Sequence, residues 1–266
     1  MLSLTEHLIK FNMNKIIYIL LLIITTSCGI SEDCLSGNGS KVTVSYPLEG
    51  FTKIKVYTGV GLVVKEGPAY EVKIETRSTI KDNIEVSLQG EMLVVKDKST
   101  CNIARDYGQT TVYVTIPDGT LNPLIQELEL HSKTEQKIIS DGVLHAPIVR
   151  LFSIGEDGDG SGSSDFYINY QSSGQFVVEC NTISNFYVNG SCNEMLLNFY
   201  FDDCRFYGEN FEVQTIKIFQ RGSNDMIVKP IQRIEGKILS TGNVILKNNP
   251  PEVEVEQLFT GHLIYN

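Results

Sequence analysis

The segment best suited to hold an ion is Glu156-Asp157-Gly158-Asp159-Gly160-Ser161-Gly162-Ser163-Ser164-Asp165. Its oxygen-bearing side chains alternate with glycines, and hard divalent cations take oxygen ligands from tightly turning loops. Read as a calcium loop, Asp157, Asp159, Ser161, Gly162 and Asp165 fall at positions 1, 3, 5, 6 and 9. Position 12, which supplies a bidentate Glu in such loops, is Ile168, and no helix-forming sequence flanks the run. A solvated polar corner is the competing reading. Calcium at Asp157, Asp159 and Asp165 is the one cofactor the sequence offers. His131 and His145 are 14 residues apart with no Cys or carboxylate at ligand spacing, and they read as structural or surface residues.

Enzymatic chemistry has little to stand on. No Gly-x-Ser-x-Gly elbow, His-Glu-x-x-His or phosphate-binding loop occurs. Sugar-cleaving solenoids work with paired carboxylates, and the close acidic sets are Asp202-Asp203 and Asp157/Asp159. Adjacent residues on a strand face opposite sides, so Asp202-Asp203 reads instead as a turn before Cys204. The expectation is therefore a protein without a catalytic residue. A carbohydrate-active β-helix enzyme and a purely structural envelope lipoprotein are the alternatives.

Binding chemistry is better represented. Tyr167, Tyr187 and Tyr207 recur at steps of 20, and aromatic side chains spaced at one coil height can grip a glycan or a protein. They belong to six segments of one form, a polar residue followed mostly by apolar ones. The second positions are Phe166, Phe186, Phe206, Met226, Val244 and Leu263, at steps of 20, 20, 20, 18 and 19. Small or turn-forming residues precede them: Ser164, Ser184, Cys204, Asn224, Gly242 and Gly261. A second track runs through Phe199, Phe219, Leu239 and Phe259, and a third through Val213 and Val253 is broken by Arg233. Ile138 lies 28 residues before Phe166, and discounting the eight polar residues from Gly155 to Gly162 restores the step of 20.

A repeat of this length cannot bury its own apolar face, but a stack of such repeats closes a continuous core. The pattern predicts an all-β, right-handed parallel β-solenoid (β-helix-like) of about 20-residue coils. Phe166, Phe186 and Phe206 should line up inside, with the tyrosines outside or at a corner. A β-sandwich is the alternative, since its strands recur every 8–12 residues with turns between them.

The 266 residues are 42% hydrophobic and 20% charged, enough apolar material for one large or two small cores, which excludes a disordered chain. A net charge of −10 argues against nucleic acid as a partner, because binding it requires cationic side chains on phosphates. Asn14-Lys15 and the apolar run Ile16 to Ile24 read as a signal-peptide core, too short to span a bilayer. Met13 then becomes the true start. Thr25-Thr26-Ser27-Cys28 resembles a bacterial lipoprotein signal of the Bacteroidetes type, with Thr25 where the usual pattern carries Leu. The resemblance implies lipidation of Cys28, a membrane partner through that anchor, and an outer-membrane, periplasmic or surface-exposed protein. Ser31-Glu32-Asp33 resembles a surface-export tag. Residues 1–27 are thus the signal segment and 28–40 a Gly/Ser-rich tether. Cys34, Cys101, Cys180, Cys192 and Cys204 are odd in number, so at least one is free or paired to another chain, and buried small hydrophobes is the reading for most.

Residues 41–120 read as short strands of alternating polarity preceding the coils of 121–266. Here Phe51-Thr52-Lys53-Ile54-Lys55-Val56, Val63-Val64-Lys65-Glu66-Gly67, Val72-Lys73-Ile74-Glu75 and Gly90-Glu91-Met92-Leu93-Val94-Val95 are similar to the head GIN domain family of autotransporter-adhesin heads. So are Gly236-Lys237-Ile238-Leu239-Ser240-Thr241-Gly242-Asn243-Val244 and Gly261-His262-Leu263-Ile264-Tyr265 downstream. The resemblance spans about residues 51–266. It departs at Gly160-Ser161-Gly162-Ser163-Ser164-Asp165, where the family's repeated Ser-Gly-Ser-Gly-Asp corners survive only partly. It implies a β-helical head outside the cytoplasm with adhesive or ligand-binding work, the glycan or protein ligand and the oligomeric state being left open.

Overall fold

The structure, a computed structural model, describes residues 37–99, 106–118, 125–155 and 162–266. Cys28, Cys34, Cys101, Asp157 and Asp159 lie outside them, as does the signal segment. Apart from one short 3-10 turn at Lys81–Asn83, every described element is a strand. The first seven are β1 (Lys41–Tyr46), β2 (Lys53–Tyr57), β3 (Val60–Gly67), β4 (Glu71–Arg77), β5 (Ile84–Gln89), β6 (Met92–Asp97) and β7 (Thr110–Pro117). Then follow β8 (Glu127–Lys133), β9 (Ile138–Leu144), β10 (Ile148–Ser153), β11 (Asp165–Gln171) and β12 (Gln175–Cys180). The long strands β13 (Asn185–Phe199), β14 (Arg205–Gln220) and β15 (Met226–Ile238) lead to β16 (Val244–Leu246), β17 (Glu252–Gln257) and β18 (Leu263–Tyr265).

All 18 join one mostly parallel sheet that runs as two ladders. The first ladder reads β6-β2-β8-β10-β12-β13-β14-β15-β17, and each neighbour is parallel. The second reads β7-β3-β9-β11-β13-β14-β15-β16-β18, again parallel throughout. Strands β13, β14 and β15 serve both ladders, their two halves pairing on different sides of a bend. The chain therefore climbs by one rung for each pair of strand segments, and the sandwich alternative falls away.

The repeat read from the sequence is the second ladder's inner column. Phe166 pairs with Phe186, Phe186 with Phe206, Phe206 with Met226, Met226 with Val244 and Val244 with Leu263. Ile138 pairs with Phe166, so the eight-residue excursion was correctly discounted, and the column runs on through Leu62 to Val112. Every member but Leu263 is fully buried. The rings of Phe166 and Phe186 stack at 4.7 Å, close to the distance between neighbouring strands. Truncating such a side chain to Ala costs about 3–5 kcal/mol in well-packed cores.

The small residues ahead of each segment sit where the chain turns between ladders. Ser164, Ser184 and Cys204 are fully buried. A Cβ on Gly242 would lie 2.2 Å from the Asn224 carbonyl oxygen, and one on Gly261 would lie 2.3 Å from that of Gly242. Backbone passes over backbone here, so nothing larger fits.

Two expectations are corrected. The second track does not stack: Phe199 pairs with Gln220, and Phe219 pairs with Asn198 and Lys237, facing outward. The first-ladder step is 21 residues from Phe199 to Gln220 and 18 from Gln220 to Ile238, because bulges near Tyr207–Glu212 and Val213–Thr215 change the chain used per coil. Arg233 breaks no track either, since Ile234 is the buried residue paired with Ile216 and Val253 while Arg233 faces out. Nor are the strands before residue 120 separate from the coils. Strands β2, β3, β6 and β7 belong to the parallel ladders, and only β1, β4 and β5 pair antiparallel, β5 on β6 and β1 on β4 on β7. The β2–β3 rung lies between the β6–β7 and β8–β9 rungs, so the chain turns back once before climbing.

Candidate functional site

On a strand, residues next to a buried position point outward. Tyr167, Tyr187 and Tyr207, each following a core Phe, therefore stand on the outer surface of the second ladder, half-buried. Their rings are parallel, at 4.8 Å and 6° between Tyr167 and Tyr187 and at 4.6 Å and 2° between Tyr187 and Tyr207. Each ring thus covers its neighbour's face, and edges and hydroxyls are what remain for a ligand. Lys137 Nζ caps the outer face of Tyr167 at 5.4 Å from its centroid. Burial raises the phenol pKa of Tyr167 and of Tyr187, which keeps both hydroxyls neutral.

The register extends this column well past the tyrosines. Tyr113 pairs with Val63, Val63 with Ile139 and Ile139 with Tyr167. In the other direction Tyr207 pairs with Ile227, Ile227 with Ile245 and Ile245 with Ile264. Nine rungs thus carry an outward aromatic or branched aliphatic residue, a stripe about 38 Å long at 4.8 Å per rung. Polar ladders border it. Asp165 accepts a hydrogen bond from Asn185 Nδ2 (2.8 Å) and one from Tyr167 (3.4 Å), and Asn189 Nδ2 donates to Asn169 Oδ1 (3.3 Å). Asp165 is therefore already engaged in the rim of the stripe.

A groove of about 460 Å³ opens on the first ladder, and the sequence gave no sign of it. Lys55 of β2 and His131 and Lys133 of β8 lie toward one end, Phe152 and Ile154 at the middle, and Glu179, Asn181, Tyr200 and Phe201 toward the other. His131 stacks on Phe152 at 4.4 Å and 15°, and its Nε2 lies 2.8 Å from Glu129 Oε2. Burial pulls the imidazole pKa down against the pull of Glu129, so the ring is neutral near pH 7. Tyr200 donates to Glu179 at 3.1 Å. Asn181 closes its turn by accepting from the Gly155 backbone N–H at 2.6 Å and donating to the Gly155 carbonyl at 3.3 Å. Lys133 is only 4% exposed while Phe201 is 50% exposed, so the groove has a sheltered cationic end and an open aromatic one.

His145 is in a different place, where Glu66, Asp118 and His145 present ligand atoms within 4.8 Å of one another. Such a set could hold a metal. Glu66 is nevertheless already committed, accepting from the backbone N–H of His145 (2.8 Å) and of Ala146 (3.0 Å) and pairing with His145 Nδ1 (3.0 Å). It clamps the connection from β9 to β10. Asp202 adopts a positive φ of 70° in the turn before Cys204, as its place ahead of that residue implied.

Parallel ladders with a fully buried interior, an outward apolar stripe and an open groove define a protein that works through its surface, an elongated β head. Comparison with families settles which kind. The chain belongs to the family described as "Putative auto-transporter adhesin, head GIN domain", whose model matches residues 50–250. No curated protein matches it. Among solved structures, a "putative adhesin" from Bacteroides fragilis NCTC 9343 is similar with a TM-score of 0.70 at 12% identity, over 87% of this chain and 100% of that one. One from Parabacteroides distasonis ATCC 8503 gives 0.59 at 11% identity, over 87% and 99%. One from Parabacteroides merdae ATCC 43184 gives 0.53 at 15%, over 86% and 98%. At these identities the likeness concerns the fold. No helix among the described residues is long and apolar enough to cross a membrane.

Proposed function

We propose that this chain is a non-enzymatic, adhesin-like binding protein of the bacterial cell envelope, held at the outer membrane by acyl chains on Cys28. Its head is a right-handed β-solenoid, the hand that parallel crossovers favour. The observation that carries the reading is the outward stripe from Tyr113 to Ile264, which no fold requirement explains, since the core is already complete behind it. A flat apolar strip with polar margins suits a protein partner laid along the ladder, as one sheet packs on another. The stacked tyrosines favour that partner over a sugar, because their faces are occupied by each other. The groove supports the non-enzymatic part: its lining holds one carboxylate, Glu179, where glycoside hydrolysis needs two.

The test is adhesion of intact cells, and binding of the purified chain, to an array of extracellular matrix proteins. Tyr113→Ala and Ile227→Ser, at outward positions of the stripe, should abolish capture of the bound protein while leaving the melting temperature within a few degrees. Capture that is indifferent to both substitutions would reject the stripe as the contact surface. Replacement of Cys28 by Ala should move the protein out of the detergent phase, and its retention there would reject the anchor.

A further inference from the structure

The groove on the first ladder calls for a different ligand from the stripe. It crosses five consecutive rungs, β2, β8, β10, β12 and β13, or about 19 Å. Its volume of about 460 Å³ falls within the size range of small-ligand sites. Lys55 and Lys133 face one carboxylate, Glu179, within the lining, so the groove is cationic on a chain whose net charge is −10. That contrast selects an anion. Phe152, Tyr200 and Phe201 offer flat apolar surface, and Asn181 and Glu179 place an amide and a carboxylate between them.

An acyl chain would need walls on every side to leave water, whereas this groove is open along its length and Phe201 is half exposed. A pyranose suits such an opening. Its C–H face packs on an aromatic surface while its hydroxyls stay wet or bond to amides and carboxylates. We infer that this groove binds an acidic saccharide, with sugar rings against Phe152, Tyr200 and Phe201 and a uronate carboxylate toward Lys55 and Lys133. The site is independent of the stripe, lying on the other ladder and sharing no residue with it.

Calorimetric titration of the full chain in detergent with trigalacturonate tests the assignment. The carboxyl-reduced neutral trisaccharide and laurate serve as comparison ligands. The uronate should bind, the neutral analogue at least about tenfold more weakly, as loss of a charge-assisted contact implies, and affinity should fall as salt rises. Lys55→Ala and Phe201→Ala, both at accessible positions, should each weaken binding about tenfold with melting unchanged. Tyr187→Ala on the other ladder should leave uronate binding as it was. Absence of uronate heat at millimolar ligand would overturn the assignment. Equal binding of the neutral sugar, preference for laurate, or affinity that survives both groove substitutions would do the same. Loss of matrix-protein capture by stripe variants is read separately, so either site can fail without the other.

Discussion

Tyr187 is held between two rings, whereas Tyr207 has one ring neighbour and an isoleucine beyond it. Aromatic pairs contribute about 0.5–1.5 kcal/mol each beyond area burial. Tyr187→Ala should therefore cost about 1–3 kcal/mol and Tyr207→Ala roughly half as much in aromatic terms, read from urea unfolding midpoints. Equal costs would show that the stack adds nothing beyond burial. His131 supplies a second residue-scale effect. Burial depresses its imidazole pKa below 6.5, so in acid the unfolded chain takes up a proton that the fold resists. Its contribution is full above pH 6.5 and is lost as pH falls through that value toward the folded pKa. Burial alone would raise the Glu129 carboxyl, but hydrogen bonds from Lys53 and His131 outweigh it and hold the pKa below 4.5. That second contribution is lost only in stronger acid. Thermal unfolding of His131→Gln should thus depend less on pH between 7 and 5 than that of the parent. Identical slopes would remove His131 as the cause. The tyrosines were legible because residue type recurs at their spacing. The groove was not, since Lys55, His131, Phe152, Glu179 and Tyr200 come from separate rungs and share no local pattern.

Cys180 at the end of β12 and Cys204 just before β14 form a disulfide across a separation of 24 residues, with all of β13 inside the loop. Closing a loop of that size restricts the unfolded chain by about 3 kcal/mol. Cys204→Ser should lower unfolding stability by about that amount, and dithiothreitol should lower the parent's to the same level. A parent indifferent to reductant would exclude the staple. Cys192 is buried, with its thiol pushed up to about 12 by burial, so it stays protonated and does not exchange with the bond. The odd cysteine count announced a leftover thiol, but pairing depends on which corner each coil turns through, and spacing alone does not fix that. The strands tell the same story. Second-ladder register was readable because Phe166, Phe186 and Phe206 each open a strand right after a tight small-residue corner, which resets the count at every coil. First-ladder register was not, because bulges partway along β14 alter the count before Gln220 is reached.

Stacking rungs leaves an end, and at the scale of the molecule that end is what distinguishes a discrete head from a fibre. The turn-back that puts the β2–β3 rung inside the stack has no signature in the sequence, since it depends on pairings between distant strands. The chemistry of the far end is readable in β17. Among the described residues, β17 pairs only with β15 and β18 only with β16, so both present an open backbone edge of the kind that recruits further strands. Leu258 and Phe259 beside it are more than half exposed, which adds apolar surface to the invitation. Opposing this, Glu252, Glu254 and Glu256 alternate along β17, and Arg233 and Lys237 hold them in place: Arg233 bonds to Glu252 at 2.7 Å and to Glu254 at 2.6 Å, and Lys237 lies 3.5 Å from Glu256. Two copies pairing through this edge in antiparallel fashion would set carboxylate against carboxylate, and like charges directly opposite disfavour pairing. Replacing all three glutamates with Thr keeps strand propensity and removes the repulsion. That variant should sediment as larger species than the parent at equal concentration, increasingly so as concentration rises, while unfolding at a similar temperature. Added salt should move the parent slightly in the same direction by screening the carboxylates. Identical sedimentation of the two chains across the concentration range would mean that the edge is blocked by shape, and the glutamates would lose their assigned part in keeping the head discrete.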